Sequence, residues 1–475
     1  MRWRWCASLL AAVLGWAGAG PLRAEPIEIE LEMVMQSAPG QISVGARRLQ
    51  RRSLGSQDFF HQVGGPQVRV RQPSGGEFSA VVRREPQYQA EEPLRQVAVL
   101  GGQDFAFVLD KKDRESDFYD LLYFDRNANG DLTDEEPIEV DRRARRVSGS
   151  DFLSVNFLPV DLELSAEGTQ YPYRAWVSAV SYIVSMSAGA DQTETVHQIN
   201  ISLSAACHRE GTAVIDGVQR QFFLFDNNSD GRFDGFAEAV PRRMASGEEC
   251  WSVPRSDWLL VDPDPADPRH RIGHEITGVP GQHYLSQLLH LDGKNYDLAV
   301  TPAGDRLTLT PSARPTGRLS STSEELTAVF FGDQGVVTVE TGPDRPIALP
   351  AGEWRLLNYT LDRTGKEDRG TEEQDTPREG WPLSFLFAAA VGGEPVQVVA
   401  DETAALPMGP PYKAVAQLAP HSRGAGMVQL ELAFIGTGGE RVTNLMVAGG
   451  RPPNPTFEIL GPDDEVVASG QFEYG

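Results

Sequence analysis

Cysteine is scarce in this sequence, with three residues in 475. Cys6 lies in an apolar N-terminal stretch, which leaves Cys207 and Cys250 for the folded protein. Neither belongs to a Cys-x-x-Cys motif or to a Cys/His spacing typical of metal sites, so we expect no cysteine-based metal centre. In an oxidising compartment the two side chains can form a disulfide, and otherwise they stay as two buried thiols. The sequence leaves both states open.

Basic residues are too few to balance the acidic ones. The chain has 43 Lys and Arg against 67 Asp and Glu, for a formal net charge of −24. A surface of this sign repels nucleic acid and anionic lipid, and it favours solubility and cation binding. We therefore expect no nucleic-acid partner.

Long apolar runs are missing after the first residues. Arg2 and Arg4 precede an apolar stretch from Cys6 to Gly20, and Leu22-Arg23-Ala24 ends in a small residue suited to cleavage before Glu25. The stretch is shorter than the roughly 20 residues that a membrane span needs. Residues 1–24 are thus expected to be a signal peptide. The mature chain would be periplasmic, on the cell surface or extracellular, with no transmembrane segment.

The common catalytic motifs are also absent. The chain has no Gly-x-Ser-x-Gly, no His-Glu-x-x-His and no glycine pattern of a nucleotide-binding loop. His270 and His274 lie four residues apart, but Gly273 and Pro280 favour a loop here rather than a helix. Carboxylate pairs are too abundant in so acidic a chain to indicate a glycosidase dyad. The sequence leaves an enzymatic role open and favours a non-enzymatic one.

Short strand patterns and turn signals fill the rest of the chain, which contains 47 Gly and 33 Pro. Ile27, Ile29, Leu31 and Met33 alternate with polar residues, which is typical of a half-buried strand. Asp-Gly pairs at 216–217 and 292–293 separate apolar runs and predict hairpins. No long helix is expected after the signal peptide. The pattern predicts a mostly β, multi-domain protein built from short-strand, β-sandwich-like modules.

Three domains are expected after the signal peptide. Residues 25–165 would form an N-terminal β domain, and residues 166–312 a second β domain. The segment from Pro311 to Glu324 is rich in Ser, Thr and Pro, and it is predicted to be a linker. Residues 321–475 then show seven short strand patterns, which favours a C-terminal β-sandwich of the immunoglobulin-like or transthyretin-like kind.

A calcium-loop pattern lies at residues 125–136, in the first of these domains. Ca²⁺ takes about six to eight oxygen ligands, and the twelve-residue EF-hand loop supplies them from positions 1, 3, 5, 7, 9 and 12, with glycine at position 6 for the sharp turn. Gly130 occupies position 6 here, and Thr133 supplies an oxygen at position 9. The expected metal ligands are Asp125, Asn127, Asn129, Asp131 through its carbonyl, and Glu136.

A second pattern begins at Asp226, in the second expected domain. It has glycine at the sixth position, Gly231, but Ala237 at the twelfth, so Glu238 is the candidate to close this loop. Loss of a closing bidentate carboxylate weakens calcium affinity to a level suited to extracellular calcium. The expected ligands of this second loop are Asp226, Asn228, Asp230 and Asp234.

Both loops follow strand patterns, Phe118 to Phe124 and Gln221 to Phe225, rather than helices. Strand-flanked Asp-x-Asn-x-Asp/Asn-Gly loops resemble the EF-hand-type and dockerin-type calcium loops of exported bacterial proteins, and this resemblance implies calcium binding. The chain as a whole is similar to uncharacterised secreted proteins of environmental bacteria, a likeness that includes Cys207 to Gly211 and Phe472 to Gly475. This similarity does not point to any particular activity. Without paired flanking helices, a calmodulin-like switch is not implied.

Two functional hypotheses follow. The first is an exported calcium-binding protein in which Ca²⁺ stabilises acidic loops of a β scaffold with a structural, adhesive or ligand-display role, with an extracellular protein or polysaccharide as partner. The alternative is an exported hydrolase or carbohydrate-binding protein with an unrecognised site. A concave cleft lined by aromatic residues would favour the alternative, and the tryptophans to locate are Trp251, Trp258, Trp354 and Trp381.

Overall fold

The computed structural model describes most of the chain after residue 24. The described ranges are 25–36, 41–44, 47–50, 57–63, 77–116, 118–141, 145–146, 153–189, 192–243, 249–254, 256–264, 281–321, 326–342, 345–363, 385–390, 394–406, 408–418, 430–447 and 450–473. The expected signal peptide, Trp381, His270 and His274 lie outside these ranges.

The described chain is almost entirely β, which confirms the predicted class. Its one described helix is the single turn α1 (Phe78–Val81). The strands up to residue 311 are β1 (Ile27–Glu30), β2 (Glu32–Met35), β3 (Gln41–Val44), β4 (Arg47–Gln50), β5 (Gln57–Val63), β6 (Leu94–Leu100), β7 (Gln103–Asp110), β8 (Leu121–Phe124), β9 (Ile138–Glu139), β10 (Arg145–Arg146), β11 (Leu153–Asn156), β12 (Val160–Ala166), β13 (Thr169–Gly189), β14 (Gln192–Ala205), β15 (Cys207–Ile215), β16 (Val218–Phe225), β17 (Val240–Arg243), β18 (Glu249–Ser252), β19 (Trp258–Val261), β20 (Gln282–Tyr284), β21 (Leu288–Leu291), β22 (Lys294–Val300) and β23 (Arg306–Pro311).

The later strands form the C-terminal part of the protein. They are β24 (Thr316–Ser321), β25 (Leu326–Gly332), β26 (Gly335–Thr341), β27 (Ile347–Pro350), β28 (Gly352–Asp362), β29 (Phe385–Ala389), β30 (Val396–Val398), β31 (Thr403–Leu406), β32 (Lys413–Leu418), β33 (Leu430–Ile435), β34 (Arg441–Met446), β35 (Thr456–Leu460) and β36 (Val466–Gln471). Among the described residues there is no helix with the length and apolar character needed to cross a membrane.

Both Asp-Gly pairs form the hairpin turns that the sequence predicts. Asp216 and Gly217 connect β15 to β16 with φ of 50° and 81°, and Asp292 and Gly293 connect β21 to β22 with φ of 51° and 77°. Two consecutive residues with positive φ match the twist of the flanking antiparallel strands, and Asp-Gly tolerates this conformation. Local turn chemistry therefore sets the register of these hairpins.

Four antiparallel sheets share one hydrophobic core in the part before residue 311. Their strand orders are β1-β23-β22-β21, β10-β11-β13-β14-β5 with β12 beside β13, β2-β15-β16-β19-β20, and β6-β7-β8-β9. The core runs in sequence from Ile29 to Leu309. In β12, buried and exposed residues alternate along the whole strand, so its apolar face points into this core.

The expected boundary between residues 165 and 166 falls at the end of β12, which pairs with β13 along its full length. Strand β1 pairs with β23, with Ile29 opposite Leu307. A division at residue 165 would therefore separate strands that are hydrogen-bonded to each other and side chains that share one core.

The C-terminal part is a two-sheet sandwich up to residue 446. One sheet has the order β26-β25-β28-β29-β34-β33-β32 with β30 beside β28, and the other has the order β27-β24-β31. Leu319 and Leu349 of the smaller sheet and Phe330, Trp354 and Tyr359 of the larger one belong to the same core. Leu319 is fully buried, so strand β24 occupies part of the segment expected to be a linker.

Arg209 ties two sheets together inside the first core. It lies on β15 and is 6% exposed. Its Nε and Nη2 donate hydrogen bonds to the carbonyl oxygen of Ala303 at 3.0 and 2.6 Å, in the turn between β22 and β23. The guanidinium also lies 5.8 Å from the ring of Tyr171 and 5.6 Å from the ring of Phe233. The planar guanidinium can donate two hydrogen bonds to one carbonyl and stack on aromatic rings at the same time. The ammonium group of lysine cannot do both.

Replacing Arg209 by lysine should lower the free energy of unfolding by about 1–3 kcal/mol, because a buried carbonyl loses its paired donors. The matched control is Arg345→Lys, whose ion pair with Glu340 lies at the surface, with side chains 61% and 47% exposed. Exposed ion pairs contribute about 0–1 kcal/mol. Urea unfolding of both variants measures the difference, and equal losses would contradict the role given to Arg209.

Candidate functional site

Loop one (residues 125–136) begins at the end of β8, and its own side chains accept hydrogen bonds from its backbone. Asp125 Oδ1 accepts the backbone N–H of Asn129 at 3.1 Å, and Asp125 Oδ2 accepts that of Gly130 at 2.8 Å. Asn127 Oδ1 accepts the N–H of Asn129 at 3.0 Å, and Asn129 Oδ1 accepts that of Asp131 at 2.7 Å. The side-chain oxygens at positions 1, 3 and 5 are thus turned toward the inside of the turn.

Loop two (residues 226–237) repeats this arrangement at the end of β16. Asp226 Oδ1 and Oδ2 accept the N–H groups of Asp230 and Gly231 at 3.1 and 2.8 Å. Asn228 Oδ1 accepts the N–H of Asp230 at 3.0 Å, and Asp230 Oδ1 accepts that of Arg232 at 2.9 Å. Corresponding distances in the two loops differ by 0.2 Å at most, although the loops belong to different sheets.

The backbone of the two loops also agrees. The fourth residue has positive φ in both, 50° at Ala128 and 57° at Ser229, and the glycine at position 6 has φ of 75° and 80°. Position 8 is apolar and fully buried in both, as Leu132 and Phe233. Two residues with positive φ allow a tight turn. The buried side chain at position 8 packs this turn against a hydrophobic core.

One buried carboxylate closes each loop at its second residue. In loop one, Glu135 Oε1 accepts the backbone N–H of Arg126 at 2.8 Å. In loop two, Asp257 Oδ1 accepts the backbone N–H of Asn227 at 3.0 Å, and its Oδ2 accepts that of Gly235 at 2.8 Å. Asp257 is fully buried and comes from the segment before β19. It therefore does for loop two, from a distant part of the chain, what Glu135 does locally for loop one.

Negative charge is concentrated and buried in loop two. Burial, and secondarily the charge of Asp230, raises the pKa of Asp226 to about 8. Burial also raises the pKa of Asp257 well above its usual range, with Asp226 as the next cause. The phenol of Tyr173 donates a hydrogen bond to Asp226 Oδ2 at 2.7 Å. Asp226, Asp230 and Asp257 thus share a desolvated space, and the nearby cation, Arg232, is paired with Asp234. An excess of buried carboxylates favours a bound cation.

Loop two lies where several sheets meet. Its carbonyl oxygens accept hydrogen bonds from Gly101 N (2.7 Å, to Asp230), Tyr171 Oη (2.6 Å, to Gly231) and Gln57 Nε2 (2.7 Å, to Ser229). Phe233 N donates to the carbonyl of Pro302 at 3.0 Å. These partners belong to the β6–β7 turn, to β13, to β5 and to the β22–β23 turn. The conformation of one loop therefore determines how these sheets are joined.

Loop one contacts the segment after helix α1. The carbonyl of Gly130 accepts the N–H of Arg83 at 2.7 Å, and Leu132 N donates to the carbonyl of Arg84 at 3.0 Å. Arg84 Nη1 also lies 3.1 Å from Asp131 Oδ2, with the arginine 73% exposed. Loop one is thus anchored at the surface, whereas loop two is anchored in the interior.

The predicted ligands fall into two groups. The side-chain oxygens of Asp125, Asn127 and Asn129 face the inside of loop one. Those of Asp226, Asn228 and Asp230 face the inside of loop two. The carboxylate of Asp131 bonds to Arg84 and Thr133. Both carboxylate oxygens of Asp234 pair with Arg232, at 2.8 and 2.5 Å. Glu136 and Glu238, expected as closing residues, are exposed.

Among the residues that the structure describes, no three histidine, cysteine or carboxylate side chains are gathered closely enough around one point to hold a metal ion. The carboxylates of each loop bind backbone N–H groups of their own turn. Asparagine amide oxygens and backbone carbonyls make up the remainder of each expected donor set. The donors present are all oxygen atoms, which is the set that a hard cation such as Ca²⁺ prefers.

The sequence pattern did not single out Asp257 or Glu135, the two carboxylates that bond to the second residue of each loop. Glu136 stays a predicted calcium ligand. Asp257 stands just before the apolar run Trp258–Val261, an acidic residue at a strand entrance, and that was its only signal. The carboxylate at position 11 faces the loop because Glu135 pairs with Arg126 through both N and Nε, at 2.8 and 2.7 Å.

The described tryptophans have different roles. Trp258 and Trp354 are buried in the two halves of the protein, 7% and 1% exposed. Trp354 Nε1 donates to the carbonyl of Pro350 at 2.8 Å, so this indole is satisfied within the core. Trp251 is half-buried and lines a pocket. Cys207 and Cys250 are both free.

Comparison of the chain with family models, with curated proteins and with solved structures found no match in any of the three.

Replacing Gly231 by alanine should destabilise the protein more than the same change at Gly217. Both glycines have positive φ, 80° and 81°, which costs an alanine about 1–2 kcal/mol. A Cβ at Gly231 would lie 2.6 Å from Gly101 N and 2.8 Å from Leu164 Cδ1, whereas a Cβ at Gly217 meets nothing within 4 Å. Overpacking should add about 1–3 kcal/mol at Gly231. Urea midpoints measure both losses; equal values would show that the junction is not tight.

Proposed function

We propose that this chain is an exported calcium-binding scaffold, in which one Ca²⁺ at each loop stabilises a β framework with a structural, adhesive or ligand-display role. The observation that carries the proposal is the repeated geometry. Two loops on different sheets present oxygen side chains from positions 1, 3 and 5 with the same hydrogen-bond pattern and the same two left-handed residues.

Loop two supplies the physical reason for a cation. Asp226 is fully buried, and the pKa of its carboxyl is raised to about 8 by desolvation and by Asp230. A buried carboxylate is stable only when it is protonated, paired or bound to a metal. Tyr173 donates one hydrogen bond but brings no charge. A divalent cation held by Asp226, Asn228 and Asp230 would supply the missing positive charge.

Calcium would act on stability by binding the folded chain and not the unfolded one. The stabilisation grows with the logarithm of the ratio of free calcium to Kd and reaches about 2.7 kcal/mol at a hundredfold excess. Loops of extracellular proteins bind with Kd of about 10⁻⁴–10⁻³ M. Calcium in the medium outside the cell would therefore raise the free energy of unfolding. At loop two it would stabilise the contacts between the sheets that meet there.

The first test compares thermal unfolding in excess EDTA and in millimolar CaCl₂ for the wild type and for Asp226→Asn. Millimolar calcium at a Kd of about 10⁻⁴–10⁻³ M gives about 0.4–1.4 kcal/mol per site, so we expect the wild-type Tm to rise by about 1–5 °C. Asp226→Asn should lose about half or more of this gain. In EDTA it should melt below the wild type, because the amide has one acceptor oxygen where Asp226 has two, and its NH₂ group would face a buried donor.

The matched control is Asp464→Asn, an exposed aspartate in the β35–β36 turn that also has positive φ, 58°. It should keep the full calcium gain. Equilibrium dialysis should count one ion fewer in Asp226→Asn than in the wild type. A wild-type chain that binds no calcium, with the same Tm in both buffers, would contradict the proposal.

A second test separates the two candidates for the closing carboxylate of loop two. Asp257 is fully buried and bonded to Asn227 N and Gly235 N, whereas Glu238 is exposed. Asp257→Asn should weaken calcium binding at loop two by about tenfold or more, as expected for a residue that supports a metal site. Glu238→Gln should change it by less than about twofold. Calcium titrations of both variants in the Asp125→Asn background isolate loop two, and a larger effect at Glu238 would reverse the assignment.

A further inference from the structure

A pocket of about 510 Å³ lies where the segment after loop two meets the C-terminal sandwich. One wall consists of residues 236–239 and Trp251. The other wall consists of Phe331 and Gly332 at the end of β25, the β25–β26 turn and the start of β28. Small-molecule sites typically enclose about 300–1,000 Å³, so the pocket has the size of a binding site.

Aromatic rings from both walls form its apolar surface. The ring centroids of Trp251 and Phe331 are 4.9 Å apart, with an angle of 44° between the planes. Trp251 is half-buried, so part of the indole remains accessible. Rings of this kind offer a rigid apolar face with little entropy to lose on binding, and such a face packs well against the C–H face of a sugar ring.

The rim of the pocket carries both acceptors and donors. Glu238, Asp333 and Glu353 contribute carboxylates, and Arg355 and Gln287 contribute N–H groups. Arg355 Nη2 lies 3.2 Å from Glu353 Oε1, so donor and acceptor stand side by side. A hydroxyl group donates one hydrogen bond and accepts others, so adjacent hydroxyls of one ligand can use both kinds of group at once.

The rim of the pocket carries charges of both signs, three carboxylates and one guanidinium. The guanidinium carbon of Arg355 lies 6.0 Å from the centroid of the Trp251 ring. An amine brought to this ring would therefore meet a like charge. An anionic ligand would face three carboxylates. We propose that this pocket binds a neutral saccharide unit, stacked on Trp251 and hydrogen-bonded by Asp333, Glu353 and Arg355.

Calorimetric titration of the purified full chain tests this proposal, in millimolar CaCl₂. The probes are neutral hexaoses of β-1,4-glucose, β-1,4-xylose, β-1,4-N-acetylglucosamine and α-1,4-glucose, with spermidine as the cationic comparison. We expect at least one hexaose to bind and spermidine not to bind. Trp251→Ala should weaken that binding by about tenfold, equivalent to about 1.4 kcal/mol, and Asp333→Asn should weaken it to a smaller extent.

Two further variants keep the result interpretable. Asp333 is an exposed hairpin residue, and Asp464→Asn makes the same change in the β35–β36 turn, away from the pocket; it should bind as the wild type does. Trp251→Phe retains an aromatic ring against Phe331 and should bind between the wild type and Trp251→Ala, with an unchanged Tm. Three results would overturn the proposal: no hexaose bound by the wild type, equal binding by Trp251→Ala, or binding of spermidine alone. None of these three results would change the outcome of the calcium measurements, so the two proposals can fail separately.

Discussion

Burial of negative charge in loop two is the constraint on which the first half of the structure depends. The carboxylate of Asp226 is removed from water and receives two backbone N–H groups and the phenol of Tyr173. Desolvation nevertheless dominates, and it raises the pKa of this group to about 8. A charge of this kind is costly without a cation. The same loop makes the contacts that join the sheets. A change in the stability of this loop therefore changes the stability of the whole core.

The two loops show how one local conformation can serve two purposes. In both, Asx-type hydrogen bonds and a glycine with positive φ form the turn, and an apolar residue at position 8 anchors it. Loop one is anchored to the short segment after helix α1 and leaves Asn127 and Asn129 exposed. Loop two is enclosed on several sides. Calcium at the first loop would chiefly order a surface turn, whereas calcium at the second would hold sheets together.

Loop two and the pocket are continuous along the chain. Gly235 N bonds to Asp257, and the next residues, Phe236 and Ala237, already line the pocket. Ala237 N donates to the carbonyl of Leu285 at 2.7 Å, which fixes this wall beside the turn that contacts the C-terminal sandwich. The wall of the pocket therefore starts where the loop ends. A metal ion that orders the loop would also order this wall.

The sequence by itself determined the features that depend on near neighbours. These are the mostly β class, the Asp-Gly hairpins and the inward-facing oxygens at positions 1, 3 and 5 of both loops. Each rests on turn chemistry or on alternation within a few residues, so it could be predicted without knowledge of the fold.

Tertiary structure decided the features that depend on distant segments. Asp257 closes loop two from a position 31 residues after Asp226, and Arg209 meets the Ala303 carbonyl across 94 residues. Trp251 and Phe331 meet between the two halves of the protein, whereas Trp258 and Trp354 are core residues, a distinction that their sequence contexts do not show. Only the packing of the sheets removes these groups from water and brings them together, and a sequence pattern carries no record of that packing.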